Sequence, residues 1–122
     1  MISYKNSKSL ENRIEESNKI ISKHPGYIPV IIESTNTEII NTIKKRKFLC
    51  PGEVSSSYLM CSIRKNIKLD SSKALFMFSD NSLISGQQIM SEVYKNYKIK
   101  HNITRYDDNF LYITLTCENT FG

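Results

Sequence analysis

The carboxyl-terminal glycine is the position of this chain that most suggests chemistry. The tail 118–122 ends in Phe121-Gly122 and follows directly on a strand-like apolar run. Because glycine has no Cβ, an enzyme can approach its carbonyl from either face. Terminal segments are also commonly mobile, so such a tail can enter a narrow active site. This placement predicts a reactive carboxylate at Gly122; the alternative is that the chain simply stops at a glycine.

Three cysteines and two histidines are too dispersed to suggest a metal centre. Cys50, Cys61 and Cys117 form no Cys-x-x-Cys pair, and His24 and His101 lie far apart in the sequence. Zinc sites and disulfide frameworks use closely spaced or even-numbered cysteines. We therefore expect reduced thiols in a cytosolic protein, with no metal and no cofactor. No Ser-His-Asp, Cys-His or paired-carboxylate arrangement stands out, so we do not expect an enzyme.

A cluster of cations lies in the first half of the chain. The net charge is +5, and much of the excess comes from Lys44-Lys45-Arg46-Lys47. Such a run fits a nucleic-acid patch or nuclear signal, an acidic membrane surface, an acidic protein partner or a solvated turn. The aromatic residues that would stack on bases are not interleaved with it, which weakens the nucleic-acid reading.

Length and composition fit one soluble globular domain. The chain has 122 residues, of which 39% are hydrophobic and 24% charged. No apolar run approaches the roughly 20 residues that span a bilayer. The first residues lack the apolar core of a signal peptide. We therefore expect any membrane association to come from a partner, a surface patch or a covalent lipid.

Apolar periodicity divides the chain into helices and strands. Ser9 can cap an amphipathic helix over 10–24, which Pro25-Gly26 ends. Short β-branched or aromatic runs predict strands, and apolar residues at helical spacing predict further helices. Residues 37–42 are interpreted as a connector with a helical turn, and 98–109 as a polar loop. The strands are predicted over 28–33, 47–50, 74–78 and 110–115, and the further helices over 55–66 and 89–97.

The order of these elements indicates the fold. A hairpin, a crossing helix and two more strands form the ubiquitin-like β-grasp pattern, in which the first and last strands lie parallel in the middle of the sheet. We therefore predict an α+β fold with a four-stranded mixed sheet. The predicted division is an N-terminal helical extension over 1–25, a ubiquitin-like domain over 26–117 and a flexible tail over 118–122.

Short runs along nearly the whole chain carry a family resemblance through their order and spacing. They are Glu16-x-x-Lys19-Ile20, Pro25-x-x-Ile28-Pro29-Val30-Ile31-Ile32-Glu33, Lys45-Arg46-Lys47-Phe48-Leu49-Cys50-Pro51, Ile63-Arg64-Lys65, Ala74-Leu75-Phe76-x-Phe78, Met90-x-x-Val93-Tyr94, Phe110-Leu111-Tyr112-Ile113 and Phe121-Gly122. The chain resembles the autophagy-related protein eight family of ubiquitin-like modifiers, which includes GABARAP and the microtubule-associated light-chain proteins. It is identified as a divergent member.

The resemblance implies that Gly122 is the site of conjugation to phosphatidylethanolamine. Ubiquitin-like activating and conjugating enzymes would carry the glycine as adenylate and thioester, and a deconjugating cysteine protease would later release it. The chain would be cytoplasmic, and peripheral on autophagosomal or related membranes through the lipid. Because nothing follows Gly122 in the sequence, we expect activation without prior trimming.

The resemblance also implies a binding site for receptors with acidic aromatic-x-x-aliphatic motifs, which add a strand beside residues 47–49 by β-augmentation. It implies an aromatic pocket lined by Glu16, Ile20, Pro29, Ile31, Lys47, Leu49 and Phe110. It implies an aliphatic pocket lined by Phe48, Cys50, Pro51, Val54, Leu59 and Ile63. Lys45, Lys47 and Arg64 would contact the acids of the motif, so an acidic peptide is the favoured partner of the basic run and no nucleic acid is expected.

Several residues depart from the family pattern. Ser62 stands where the family usually has a large apolar residue, which predicts a shallower or wetter aliphatic pocket. Cys50 replaces a usual valine, and Asn66 stands where many members carry arginine. The resemblance also implies that the segment 98–109 is about seven residues longer than the same loop in other family members. These differences predict altered partner choice.

Two other functions remain open at this stage. The chain could be a modifier attached to a protein lysine, as in the related autophagy-related protein twelve type, which also ends in an aromatic-glycine pair. It could also be an unconjugated peptide-binding module. The segment up to Pro25 and the run Ile28-Pro29-Val30-Ile31 favour the lipid-conjugated type.

Overall fold

A computed structural model describes residues 3–119, and the side chain of residue 119 is not described. The elements run helix, helix, strand, helix, strand, helix, strand, strand, helix, strand along the chain. They are α1 (Tyr4–Ser7), α2 (Leu10–Lys23), β1 (Tyr27–Ser34), α3 (Thr37–Thr42), β2 (Lys47–Pro51), α4 (Ser56–Arg64), β3 (Lys73–Ser79), β4 (Ser82–Leu83), α5 (Met90–Lys100) and β5 (Leu111–Asn119).

The sheet has the strand order β2-β1-β5-β3-β4. β1 and β5 pair in parallel at its centre, with Val30 opposite Leu111, which confirms the predicted β-grasp arrangement. The sheet has five strands, one more than predicted. The additional strand β4 is a two-residue hairpin partner of β3 that follows a turn at Asp80, whose φ is 56°. A strand this short has no alternation that a sequence pattern can reveal.

The pairing of β1 explains how a proline fits inside a strand. Pro29 lies opposite Leu49 of β2, while the parallel pairing with β5 begins only at Val30. In the antiparallel β1–β2 ladder every second residue pair is hydrogen-bonded, and Ile32 and Arg46 form such a pair, since the Ile32 N–H donates to the Arg46 carbonyl at 2.8 Å. Counting back along β1, Pro29 falls in a pair that is not hydrogen-bonded. Neither neighbouring strand therefore requires an N–H from Pro29.

The sheet is covered on both faces, so the molecule has three layers. The main core lies between the sheet and the helices α3, α4 and α5, and it includes Val30, Ile32 and Leu111. Ile31 and Phe110 point to the opposite face, where they pack with Tyr4 of α1 in a second, smaller core. The period-two alternation of strand side chains divides neighbouring residues between the two cores.

The ends of two elements differ from the prediction. Helix α5 continues through Lys100, so the first residues of the predicted loop 98–109 are helical. Strand β5 begins at Leu111 and continues to Asn119, two residues into the predicted tail, because Ala74 and Lys73 of β3 pair with Glu118 and Asn119. Polar residues at element ends carry no hydrophobic signal.

The segment 98–109 packs against helix α2. Arg13 of α2 donates to Asp108 at 2.8 Å, and the Asn109 backbone N–H donates to the Ser17 hydroxyl at 2.9 Å. Tyr94 of α5 donates to the Asn109 carbonyl at 2.6 Å. These hydrogen bonds join α2, the segment 98–109 and α5. Within residues 3–119, no helix combines the length and apolarity needed to cross a bilayer.

Candidate functional site

β2 is one of the two edge strands of the sheet, and its residues alternate in exposure. Lys47 and Leu49 are exposed, whereas Phe48 and Cys50 are buried. The hydrogen-bonded pairs of the β1–β2 ladder include Gly52 with Gly26 and Ile32 with Arg46. By alternation, the backbone N–H and C=O groups of Lys47 and Leu49 point away from β1. This edge can therefore accept a further strand.

One cavity, here called the α2 cavity, lies between β2 and helix α2. Its volume is about 200 Å³, and its walls are mainly apolar. Five of the seven residues predicted for the aromatic pocket line it. The lining residues are Ile20, His24, Pro29, Lys45, Lys47, Phe48, Leu49 and Phe110.

A second cavity, here called the α4 cavity, lies between β2 and helix α4. Its volume is about 480 Å³. Lys45, Phe48 and Leu49 line both cavities, so β2 is their common wall. The lining residues are Tyr27, Lys45, Phe48, Leu49, Cys50, Pro51, Tyr58, Leu59, Ser62, Lys65 and Asn66.

Lys47 is held at the rim of the α2 cavity by Glu16. The Lys47 ammonium lies 2.8 Å from Glu16 Oε1, and the Tyr4 hydroxyl donates to the same oxygen at 2.5 Å. Tyr4 also packs edge-on against Phe110, with ring centroids 5.5 Å apart. An acidic ligand that reaches Lys47 must therefore compete with a carboxylate that helices α1 and α2 hold in place.

The protonation equilibria of this cluster favour the ion pair. Burial raises the pKa of the Glu16 carboxyl, but the hydrogen bonds from Lys47 and Tyr4 outweigh burial and lower the pKa below its usual value. The hydrogen bond to Glu16 raises the pKa of Lys47. Burial, followed by the bond to Glu16, raises the pKa of Tyr4. Near neutral pH the cluster is thus a carboxylate, an ammonium and a neutral phenol.

Four of the residues predicted for the pockets lie elsewhere. Ile31 is fully buried with Tyr4 in the second core. Glu16 does not line the α2 cavity, but it binds Lys47, which does. Ile63 is fully buried in the main core, and Val54 packs against that core without lining the α4 cavity. Leu59 and Ile63 form the core face of α4, and Ile67 enters the same core after the helix has ended at Arg64; of the three, only Leu59 lines the cavity.

The cations near the site do not form one patch. Lys45 lies over the Phe48 ring, 4.9 Å from its centroid, and lines both cavities. Arg46 pairs with Glu33 at 3.4 Å and lies 6.0 Å from the centroid of the Tyr4 ring. Arg64, predicted to contact acids, donates instead to the Lys73 carbonyl at 3.0 Å and lines neither cavity.

The predicted pocket linings omit several residues, although Ser62 was expected to affect the aliphatic pocket. Tyr58 and Ser62 of α4 and Asn66, in the turn after that helix, are spaced four residues apart and form a polar row beside the core residues. His24 follows Ile20 at the same spacing, and this pattern could have placed it in the α2 cavity. Tyr4 stands alone in a polar segment, and no periodic signal identifies it.

The predicted conjugation site Gly122 lies outside the described residues. Within residues 3–119, no three His, Cys, Asp or Glu side chains come together as metal ligands. The family described as "Autophagy protein Atg8 ubiquitin like" matches residues 12–122 of the chain, which include that glycine. The chain belongs to the Atg8 family.

Curated Atg8 relatives match nearly the whole of this Atg8 chain. It is 38% identical to autophagy-related protein 8a of Arabidopsis thaliana over 120 residues, which are 98% of this chain and 93% of the relative. It is 40% identical to autophagy-related protein 8 of Schizosaccharomyces pombe over 119 residues, again 98% of this chain and 93% of the relative.

Solved Atg8 structures share the fold. The crystal structure of Trypanosoma brucei ATG8 superposes with a TM-score of 0.81 at 28% identity, covering 100% of this chain and 99% of the other. Plasmodium falciparum Atg8, solved in complex with a Plasmodium falciparum Atg3 peptide, gives a TM-score of 0.76 at 28% identity, with coverage of 95% and 96%. The fold is that of the ubiquitin-like Atg8 proteins.

Proposed function

We propose that this Atg8-family chain is a modifier that is conjugated through Gly122 to phosphatidylethanolamine and that recruits receptors at the β2 edge. The observation that carries the receptor role is the pair of cavities on either side of one free strand, with Lys45, Phe48 and Leu49 as their common wall. A peptide strand that pairs with Lys47 and Leu49 would direct the side chains of its one face toward the α2 cavity and those of its other face toward the α4 cavity.

The family match extends to the terminal glycine, which supports conjugation at that residue. In this reaction the Gly122 carboxylate attacks ATP and releases pyrophosphate, and an enzyme thiol then displaces AMP to form a thioester. The headgroup amine then attacks the glycine carbonyl, an amide bond forms and the thiolate of the conjugating enzyme leaves. The Plasmodium falciparum relative was solved with an Atg3 peptide. We infer that a conjugating enzyme of this type also engages the present chain, and that the chain acts as substrate and tag and not as a catalyst.

Conjugation can be tested with purified activating and conjugating enzymes, ATP and vesicles that contain phosphatidylethanolamine. We expect the wild-type chain to float with the vesicles and to gain the mass of the lipid less one water. Gly122→Ala and vesicles of phosphatidylcholine alone should give no adduct. An adduct with a protein lysine but none with the lipid would contradict the proposal and favour the autophagy-related protein twelve type.

Receptor binding can be tested with a matched pair of leucine variants. Leu49, on the β2 edge, is 39% exposed, and Leu83, on the opposite edge in β4, is 57% exposed. We expect Leu49→Ala to weaken binding of an acidic aromatic-x-x-aliphatic peptide about tenfold, since both cavities lose wall area. Leu83→Ala should leave the dissociation constant unchanged. Equal effects of the two variants, measured by calorimetry, would contradict the assigned edge.

A further inference from the structure

The α4 cavity does not have the size expected for an aliphatic residue. The family resemblance predicts that the smaller anchor of the motif enters here and the larger aromatic anchor enters the α2 cavity. The volumes are the reverse, about 480 Å³ for the α4 cavity and about 200 Å³ for the α2 cavity. Ser62 accounts for part of the space, because its short side chain stands midway along the cavity wall on α4.

The walls of the α4 cavity are polar in a defined order. Tyr27 pairs with Pro51, so its phenol lies at the Pro51 end of β2. Lys44 donates its backbone N–H to the Asn66 carbonyl at 3.0 Å, which places Asn66 at the opposite end. The cavity therefore has tyrosine side chains at one end and an amide at the other, above an apolar floor. That floor is formed by Phe48, Cys50, Pro51 and Leu59.

The polar groups in these walls retain capacity to bind a ligand. The Ser62 hydroxyl donates to the Tyr58 carbonyl at 3.3 Å, and its oxygen can still accept. Lys65 is exposed and presents only donors. A leucine in this cavity would remove water from these groups and provide no hydrogen bond in return, which costs binding free energy.

We propose, on the basis of the receptor site assigned above, that the α4 cavity takes a tyrosine as the second anchor of the bound motif. A phenol ring can pack on the floor and against Tyr27 and Tyr58, and its hydroxyl can accept from Lys65 and donate to Ser62. A tryptophan indole can donate a hydrogen bond but cannot accept one, and a phenylalanine ring can do neither. These two anchors would therefore satisfy fewer of the polar groups in the cavity wall. A carboxylate anchor would place its charge against the apolar floor.

The test uses acidic peptides of the form Trp-x-x-Z that differ only at Z, with Z as tyrosine, phenylalanine or leucine. For the wild-type chain we expect the tyrosine peptide to bind about fivefold more tightly than the leucine peptide, with phenylalanine between them. Leucine binding as tightly as tyrosine, or more tightly, would overturn the proposal. The dissociation constants are measured by calorimetry on the full chain.

A cavity variant gives a second, independent reading. Ser62→Leu fills the α4 cavity and should reverse the preference to leucine, whereas Ser71→Leu, at an exposed loop position, should keep the wild-type order. Lys65→Met should reduce the advantage of tyrosine over phenylalanine, because the phenol hydroxyl loses its donor. A preference that stays unchanged in Ser62→Leu, with circular dichroism showing a folded chain, would also overturn the proposal.

The same peptides separate this proposal from the receptor site on which it rests. If no peptide binds, or if replacing the tryptophan by alanine leaves the affinity unchanged, the receptor site itself is wrong and the anchor assignment falls with it. If the leucine peptide binds through its tryptophan and tyrosine gives no advantage, only the anchor assignment is wrong.

Discussion

Cys50 lies at the boundary between the main core and the α4 cavity. It is 3% exposed, and its thiol approaches the Pro51 carbonyl at 3.4 Å. Burial raises the pKa of the thiol to about 11, because the thiolate would lose its hydration. The side chain therefore acts as a small neutral residue in the cavity wall, as a valine would, and it is a poor nucleophile.

The raised pKa of Cys50 predicts a loss of stability at high pH. Above pH 9 the thiol ionises in the unfolded chain, while the folded chain keeps it neutral until about pH 11. The stabilising contribution is thus complete below pH 9 and is lost as the pH rises through that window. At pH 10 the wild type should lose about 1 kcal/mol relative to Cys50→Val, measured by urea unfolding at pH 8 and 10.

A control for this measurement is Cys61→Ser. This thiol is exposed, so the variant should keep the pH dependence of the wild type. Burial also raises the pKa values of Tyr94 and Tyr97 to about 12. Their contribution is common to all three proteins and cancels in the comparison. An equal loss of stability in the wild type and in Cys50→Val would contradict the assignment.

At the scale of the elements, helix α2 is joined to the rest of the fold by the segment 98–109. Asp108 accepts from Arg13 and, at 2.5 Å, from the Tyr112 hydroxyl. The Arg13 and Asp108 side chains are only 12% and 10% exposed, so solvent screens this ion pair less than a surface pair. The segment 98–109 thereby secures the helix that carries Glu16 and Ile20 beside the α2 cavity.

Removing this link should loosen both segments together. We expect Arg13→Ala to lower the free energy of unfolding by about 2 kcal/mol, because the Asp108 carboxylate loses a charged donor. Amide hydrogen exchange should rise in α2 and in 101–109 by similar amounts. Lys19→Ala, at an exposed position of α2, serves as the control and should change neither. Faster amide exchange in α2 alone would show that the segment 98–109 does not secure helix α2.

At the scale of the whole molecule, the two cores share the central strands of one sheet. Neighbouring residues of β1, such as Val30 and Ile31, lie in different cores. The same division occurs where β5 begins, between Phe110 and Leu111. Loss of either core would therefore remove packing from strands on which the other core depends.

This sharing predicts that the chain unfolds in one cooperative transition. The chain has seven tyrosines and no tryptophan, so tyrosine fluorescence reports on both cores, including Tyr4 in the second and Tyr97 in the main core. We expect urea unfolding curves from fluorescence and from far-ultraviolet circular dichroism to coincide within error. Separate midpoints would show that the second core, with α1 and α2, unfolds independently.

The site was predictable where strand alternation decides which way a side chain points. Strand alternation alone places Lys47 and Leu49 on one face of β2 and Phe48 and Cys50 on the other; in the structure the first pair is exposed and the second is buried. The pattern could not distinguish core residues from cavity residues on α4. Ile63 and Ser62 are neighbours in the sequence, yet the apolar one is buried in the core and the polar one lines the cavity. Hydrophobicity predicts burial, but it does not indicate where packing leaves a space.

The sequence by itself determined the family, through the order and spacing of its short residue runs. It also determined the β-grasp order and the long strands and helices, because these depend on local apolar periodicity and on the order of elements along the chain. Only the tertiary structure decided the position of Tyr4 above Phe110, the link between Arg13 and Asp108, and the relative sizes of the two cavities. Each of these depends on contacts between residues distant in the chain, which no local pattern encodes.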